Sequence, residues 1–145
     1  RFRDAWPHAM VVKGLLHPGD AEKAVELGVD GVLVSNHGGR QLEGAPAPID
    51  VLPAIVSAVG ERATVLFDSG VRNGEDIVRA LALGAKSTLS GRAFMFGLGA
   101  LGEEGPDYVA EYFDEEIGAT LRHVGAHNLA EARDITLRHP GAWVF

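Results

Sequence analysis

Asp20-Ala-Glu-Lys-Ala-Val-Glu-Leu-Gly28 and Asp76-Ile-Val-Arg-Ala-Leu-Ala-Leu-Gly84 share the pattern D-x-x-x-A-x-x-L-G. Each reads as a helix stopped by a glycine and followed at once by a strand candidate. Outward from this repeat, β-branched or apolar runs at Met10 to Lys13, Gly31 to Ser35, Thr64 to Asp68 and Ser87 to Ser90 predict strands. Helical patterns follow them at about Asp20 to Leu27, Ile49 to Val59, Glu75 to Leu83 and Ala93 to Leu101. Short strands that are apolar on both faces suit a buried parallel sheet with helices packed outside. A complete eight-unit α/β barrel averages about 250 residues, or roughly 31 per unit. The 145 residues therefore hold about four βα units and a tail, which is half of a TIM (β/α)8 barrel.

The tail reads as helix. Pro106 suits a first turn, and Val109, Tyr112, Phe113, Ile117 and Leu121 share one face for packing. Asn128 with Glu131 three residues on resembles a capping box for one more short helix. With 46% hydrophobic and 23% charged residues, residues 1–145 are expected to form one unit around one core. The 19 glycines are nearly double the usual share of about 7% and act as punctuation between elements.

Charge and cysteine content narrow the chemistry. Thirteen Lys and Arg against 20 Asp and Glu leave a net charge of -7, which disfavours a nucleic-acid groove or an anionic membrane surface. An anion must be bound by local groups. The absence of cysteine excludes disulfides, thiolate nucleophiles and Cys-ligated zinc or iron-sulfur centres. No apolar run approaches the roughly 18 residues of a membrane span, and the Arg1 start carries no signal-peptide pattern. A cytoplasmic placement and a fragment of a longer chain are the resulting expectations.

Functional residue types concentrate at strand ends. Ser35-Asn-His-Gly-Gly-Arg-Gln-Leu42 follows the second strand and sets an imidazole and a guanidinium three residues apart. His37 is suited to moving a proton near neutral pH, and the Arg40 fork matches a carboxylate, a combination fit for proton abstraction from a carboxylate-bearing substrate. Asp68-Ser-Gly-Val-Arg-Asn-Gly74 and Ser90-Gly-Arg92 each precede a helix. Glycines there let a backbone approach an anion, helix N–H groups point at it, and Arg72 and Arg92 add charge. In barrels the common phosphate site lies after strands 7 and 8, which is where these turns fall if the units are strands 5 to 8. Lys13, at the end of the first strand, projects into the same mouth.

These motifs, with Val12-Lys-Gly14 and Ala80-Leu-Ala-Leu-Gly-Ala85, occur in the order and spacing of a known family. Over nearly all its length the chain resembles the C-terminal half of the FMN-dependent 2-hydroxy acid dehydrogenases and oxidases, the group of glycolate oxidase, L-lactate dehydrogenase and mandelate dehydrogenase. It departs at Glu43, where the family usually has Asp, at Ser69, where many members have Gly, and at Ala93, where many have Pro. Ser69 and Ala93 look most like the lactate and mandelate dehydrogenase branch.

The resemblance implies His37 as active-site base and Arg40 as ligand of the substrate carboxylate. It implies FMN as cofactor, with Lys13 beside the flavin N1 and C2 carbonyl, where positive charge stabilises the reduced ring. Ser35 would contact the flavin. Asp68, Ser69, Gly70, Val71 and Arg72 would hold ribityl and phosphate oxygens, completed by Gly91 and Arg92. The implied reaction oxidises a small (S)-2-hydroxy acid, lactate-like or mandelate-like, to a 2-oxo acid. Implied partners are that acid, an electron acceptor, the missing N-terminal half-barrel and further copies of the chain, with peripheral membrane association left open. Two alternatives stand beside this: a non-catalytic half-barrel, and another FMN-dependent barrel enzyme such as an isomerase.

Other patterns are weaker. Gly97-Leu-Gly-Ala-Leu-Gly102 fits G-x-G-x-x-G but ends a helical pattern and does not follow a strand, so it fails the context of a dinucleotide site. His123 and His127 have the i, i+4 spacing of a metal pair, but Gly125 lies between them and no third ligand is evident, so no metal is expected. His8, His17 and His139 read as surface or capping residues.

Overall fold

The structure, a computed structural model, describes residues 2–137. Strands β1 (Val11–Leu15), β2 (Gly31–Val34), β3 (Thr64–Phe67) and β4 (Ser87–Thr88) form one parallel sheet in the order β1-β2-β3-β4. Helices α2 (Pro18–Glu26), α3 (Pro48–Val59), α4 (Gly74–Ala82) and α5 (Arg92–Leu101) follow the four strands in turn. Parallel strands placed side by side in chain order, each followed by a helix, give four successive units of a (β/α)8 barrel. A short helix α1 (Phe2–Ala5) precedes them, and α6 (Gly105–Val124) closes the tail.

The D-x-x-x-A-x-x-L-G repeat folds as its pattern demands. In α2 the amides of Gly28 and Val29 donate to the carbonyls of Val25 and Ala24, and in α4 those of Gly84 and Ala85 donate to Leu81 and Ala80. This is the Schellman pairing, and it needs a left-handed residue at the glycine, where φ is +89° and +102°. The helix starts are also specified locally. His17 Nδ1 accepts from the Gly19 amide at 3.1 Å, and Asn73 Oδ1 accepts from the Asp76 amide at 2.9 Å.

The core lies between the sheet and α3. Val32, Val34, Val65 and Phe67 turn toward the helices, where Leu52, Ile55 and Val59 of α3 are fully buried. Each such side chain contributes about 1.5–3 kcal/mol relative to exposure. Alternation sends Leu33 and Ser35 to the opposite face, the barrel interior. Helix α6 packs Val109 and Phe113 into this core, with the Phe113 ring edge-on to Phe94 at 5.8 Å, while Leu121 and Ile117 join a second cluster around Val78. The crossing of α5 and α6 is close: a Cβ on Gly105 would lie 2.1 Å from the Gly97 carbonyl oxygen.

Several boundaries differ from the sequence reading. The first strand continues past Lys13 to Leu15, because Gly14 at φ +98° absorbs a register slip between Lys13 and Leu15. The fourth strand stops at Thr88, since only Ser87 and Thr88 find partners on β3. Tyr112 does not share the buried face of α6; it is exposed and donates its hydroxyl to Glu116 Oε1 at 2.6 Å. The Asn128 box forms, with Asn128 Oδ1 accepting from the Glu131 amide at 3.1 Å, but it caps a 3₁₀ turn, Glu131–Asp134. Helix α1 is absent from the sequence reading; Arg3 anchors it by donating to Asp30 Oδ2 at 2.8 Å and to the His8 carbonyl at 2.7 Å. No described helix is long and apolar enough to cross a membrane.

Candidate active site

The site is built at the C-terminal ends of the strands, where the loops after β2, β3 and β4 meet over the side chain of Lys13. The loop after β2 makes a 3₁₀ turn, His37–Gly39, in which three consecutive residues are left-handed, with φ of +57°, +70° and +76°. Such a run is costly unless the surroundings determine it. Here three side-chain acceptors do so. The amides of His37, Gly38 and Gly39 donate to Ser35 Oγ at 3.1 Å, Ser69 Oγ at 3.0 Å and Asn36 Oδ1 at 3.1 Å.

A polar network runs from this turn to the base of the cleft. Lys13 Nζ pairs with Asp68 and donates to the fully buried Ser35 Oγ at 3.0 Å. Ser69 Oγ donates to Asp68 Oδ1 at 2.8 Å. Burial raises the Asp68 pKa, but hydrogen bonds from Lys13, Ser35 and Ser69 outweigh it and hold the carboxyl below its ordinary range. Asp68 is therefore ionised at neutral pH and keeps Lys13 in place.

The loops after β3 and β4 form the anion side. Ser90 Oγ donates to the Val71 carbonyl at 2.7 Å, which ties the two turns together. Positions Gly70 and Gly91 have no atom within 4 Å of where a Cβ would stand, so the backbone there is open to a ligand. Gly91 caps α5 with no side-chain acceptor, leaving first-turn N–H groups available to an anion. Arg92 reaches across to the Gly38 carbonyl at 3.4 Å. Arg72 is the most open of the set, with its side chain 80% exposed and Nε 3.9 Å from Asp76 Oδ2.

One cleft of about 610 Å³ brings together Lys13, His37, Arg40, Asp68, Ser69, Gly70, Val71, Arg72, Gly91 and Arg92. All the residues singled out from the sequence line it except Ser35, which lies beneath as a hydrogen-bond hub. Lys13, Arg40, Arg72 and Arg92 make this cleft cationic in a chain of net charge -7. Leu89 and Met95 add an apolar wall that the motif reading does not find, because nothing marks them apart from other apolar residues. Asn36 is missed for a related reason: its role depends on the turn folding back onto it.

The weaker patterns fall elsewhere. Gly97 to Leu101 lies within α5, with Gly102 just past its end, so the G-x-G-x-x-G glycines serve helix termination and the crossing with α6. Gly125 ends α6 in a left-handed conformation between His123 and His127, so the two do not share a helix face. His8 stacks edge-on with Trp6 at 5.2 Å; His139 lies outside the described residues.

Fold and site together define a barrel protein whose strand-end loops join a proton-transfer group to a phosphate-type anion site. The model of the FMN-dependent dehydrogenase family matches residues 1–139, and the chain belongs to that family. It is 47% identical over 136 residues to an L-lactate dehydrogenase of Caulobacter vibrioides, covering 94% of this chain and 36% of the relative. It is 46% identical over 140 residues to an (S)-mandelate dehydrogenase of Pseudomonas putida, covering 97% and 35%. Among solved structures, mandelate oxidase superposes with a TM-score of 0.89 at 40% identity over 94% of this chain and 40% of that one. The monotopic membrane protein (S)-mandelate dehydrogenase superposes with a TM-score of 0.86 at 47% identity, over 90% and 35%. The chain thus spans about a third of the length of the curated relatives it matches.

Proposed function

We propose that residues 1–145 are the C-terminal half-barrel of an FMN-dependent dehydrogenase or oxidase that converts a small (S)-2-hydroxy acid, lactate-like or mandelate-like, to the 2-oxo acid. The observation that carries this is the meeting of His37, Arg40 and Lys13 with the open glycines and uncapped α5 terminus in one cleft. The donor set suits FMN: the turns at Gly70 to Arg72 and Gly91 to Arg92 take phosphate and ribityl oxygens, and Lys13 and Ser35 lie toward the ring. When bound, FMN supplies acceptance of the two electrons that leave the substrate.

The remaining steps belong to side chains. Arg40 binds and orients the carboxylate through its fork. His37 removes a substrate proton and holds it on the imidazole, next to the carboxylate anchor that fixes the acid's orientation. Lys13, kept in place by Asp68, stabilises negative charge on the ring. The complete enzyme adds four N-terminal βα units and associates with further copies of itself. The related (S)-mandelate dehydrogenase of solved structure is a monotopic membrane protein. With no described helix able to span a bilayer, membrane association through the described helices of this chain would be peripheral.

The test is to join the chain to the missing half, purify it and assay lactate and mandelate. Co-purifying FMN with hydroxy acid oxidation is the expected result. A preparation that neither carries nor takes up FMN sinks the proposal.

A further inference from the structure

We infer that Ser69 is a positioning residue: its hydroxyl fixes the His37 turn against the Lys13–Asp68 pair and so sets where the imidazole stands relative to the cation beside the flavin. The inference deepens the function proposed above and rests on it for the roles of His37 and Lys13.

The connectivity singles Ser69 out. Of the three acceptors that hold the left-handed turn, Ser35 and Asn36 are its immediate neighbours in sequence and move with it. Ser69 alone comes from another strand end, 31 residues away. Losing its hydroxyl would leave the turn internally braced but free to shift as a body relative to β3.

The valence of the hydroxyl supports the same role. Its single hydrogen goes to Asp68 Oδ1 at 2.8 Å, and its lone pairs face the Gly38 amide at 3.0 Å and Ser35 Oγ at 3.4 Å. Nothing remains to donate to a ribityl or phosphate oxygen. The direction of the donated bond is set by Asp68, whose charge is in turn held by Lys13. A continuous chain therefore runs from Lys13 through Asp68 and Ser69 to the Gly38 amide, next to His37.

The backbone gives an independent indication. Ser69 stands at φ +73°, a conformation costly for a residue with a Cβ. Glycine would occupy it without strain, so the serine side chain is held there against a conformational penalty. The hydrogen bonds to Asp68 and Gly38 are what it gains.

Two substitutions separate hydroxyl from strain. Ser69→Ala removes the hydroxyl and keeps the Cβ at positive φ, whereas Ser69→Gly removes both. In the 145-residue chain, hydrogen exchange of the Gly38 amide is expected to quicken about tenfold or more in both variants, with exchange in α6 unchanged. Ser69→Gly should melt at a higher temperature than Ser69→Ala. In the complete enzyme both should lower kcat per bound flavin about tenfold or more, with KM and FMN retention little changed. Unaltered Gly38 exchange overturns the inference. So does unchanged kcat with weakened FMN retention, which would make Ser69 a flavin ligand, or a lowered melting temperature with unchanged kcat, which would make it merely structural. Failure of the underlying function reads differently. A wild-type complete enzyme that takes up no FMN, or a His37→Ala variant with normal turnover, would remove the catalytic part of the inference while the Gly38 exchange difference persisted.

Discussion

The imidazole of His37 packs directly over Gly14: a Cβ at position 14 would lie 2.7 Å from His37 Nε2. Gly14 thus serves two ends. It takes the φ of +98° that lets β1 slip register after Lys13, and it leaves the space in which the ring lies. A side chain here must strain the backbone and displace the proposed base.

Gly14→Ala in the complete enzyme should therefore lower kcat by about 10²-fold, the scale of an ångström's misplacement, while FMN remains bound. Turnover at the wild-type rate would show that the ring has room to move without cost.

Replacing the proposed catalytic groups should divide chemistry from binding. His37→Ala should cut kcat by about 10²–10⁴-fold with FMN retained, because the imidazole faces away from the phosphate turns. Arg40→Lys should act mainly on KM, since an ammonium cannot reproduce the bidentate fork. Steady-state kinetics with the flavin content measured on the same samples checks both. A kcat unaffected by His37→Ala removes its assignment as base.

Stability should fall on the acid side, and Asp68 supplies part of the reason. Its folded pKa lies below the ordinary value of about 3.9, so it stabilises the fold above that value and the contribution is lost as pH falls toward the folded pKa. Asp68→Asn should flatten the decline measured by denaturant unfolding from neutral pH downward. Lys13→Met should move the loss to higher pH, because burial then acts on Asp68 without its partner. Asp30, also held low, by the Met10 amide and by Arg3, leaves a residual slope in both variants. An Asp68→Asn profile that overlays the wild type would contradict the role given to the pair.

What the sequence makes legible here is whatever local chemistry determines. The repeat around Gly28 and Gly84 specifies helix stops by backbone handedness alone, and strand-end motifs name the cleft residues because those types gather at one end of a parallel sheet. The strand end at Lys13 is misjudged because a bulge at Gly14 is set by its pairing with β2, not by the run itself. Tyr112 has the right helical phase for burial, yet Glu116 offers its hydroxyl a partner in solvent. The positioning roles of Ser69 and Asn36, and the closeness of Gly97 to Gly105, arise only when elements distant or folded back in the chain meet. Motif spacing carries no information about such contacts.

The 145-residue chain by itself should bind weakly, turn nothing over and self-associate. The anion turns are wholly local, since Gly70, Gly91, Arg92 and the start of α5 are all present and tied by Ser90. Some affinity for inorganic phosphate and FMN should therefore survive. The cleft is open on the side where the interior of the half-barrel lies, so part of the ring's apolar area would stay in water, at about 25 cal/mol per Å². Hydroxy acid oxidation should be absent without the rest of the enclosure. Strands β1 and β4 are unpaired on their outer sides, and Val11, Leu89, Met95 and Phe96 are 47%, 46%, 68% and 73% exposed. Unpaired edges beside apolar side chains favour pairing with another chain. Light scattering should report species larger than a monomer, and adding the N-terminal half should compete with that association. A stable monomer, or flavin-dependent turnover from this chain alone, would each contradict the division of the site between two halves.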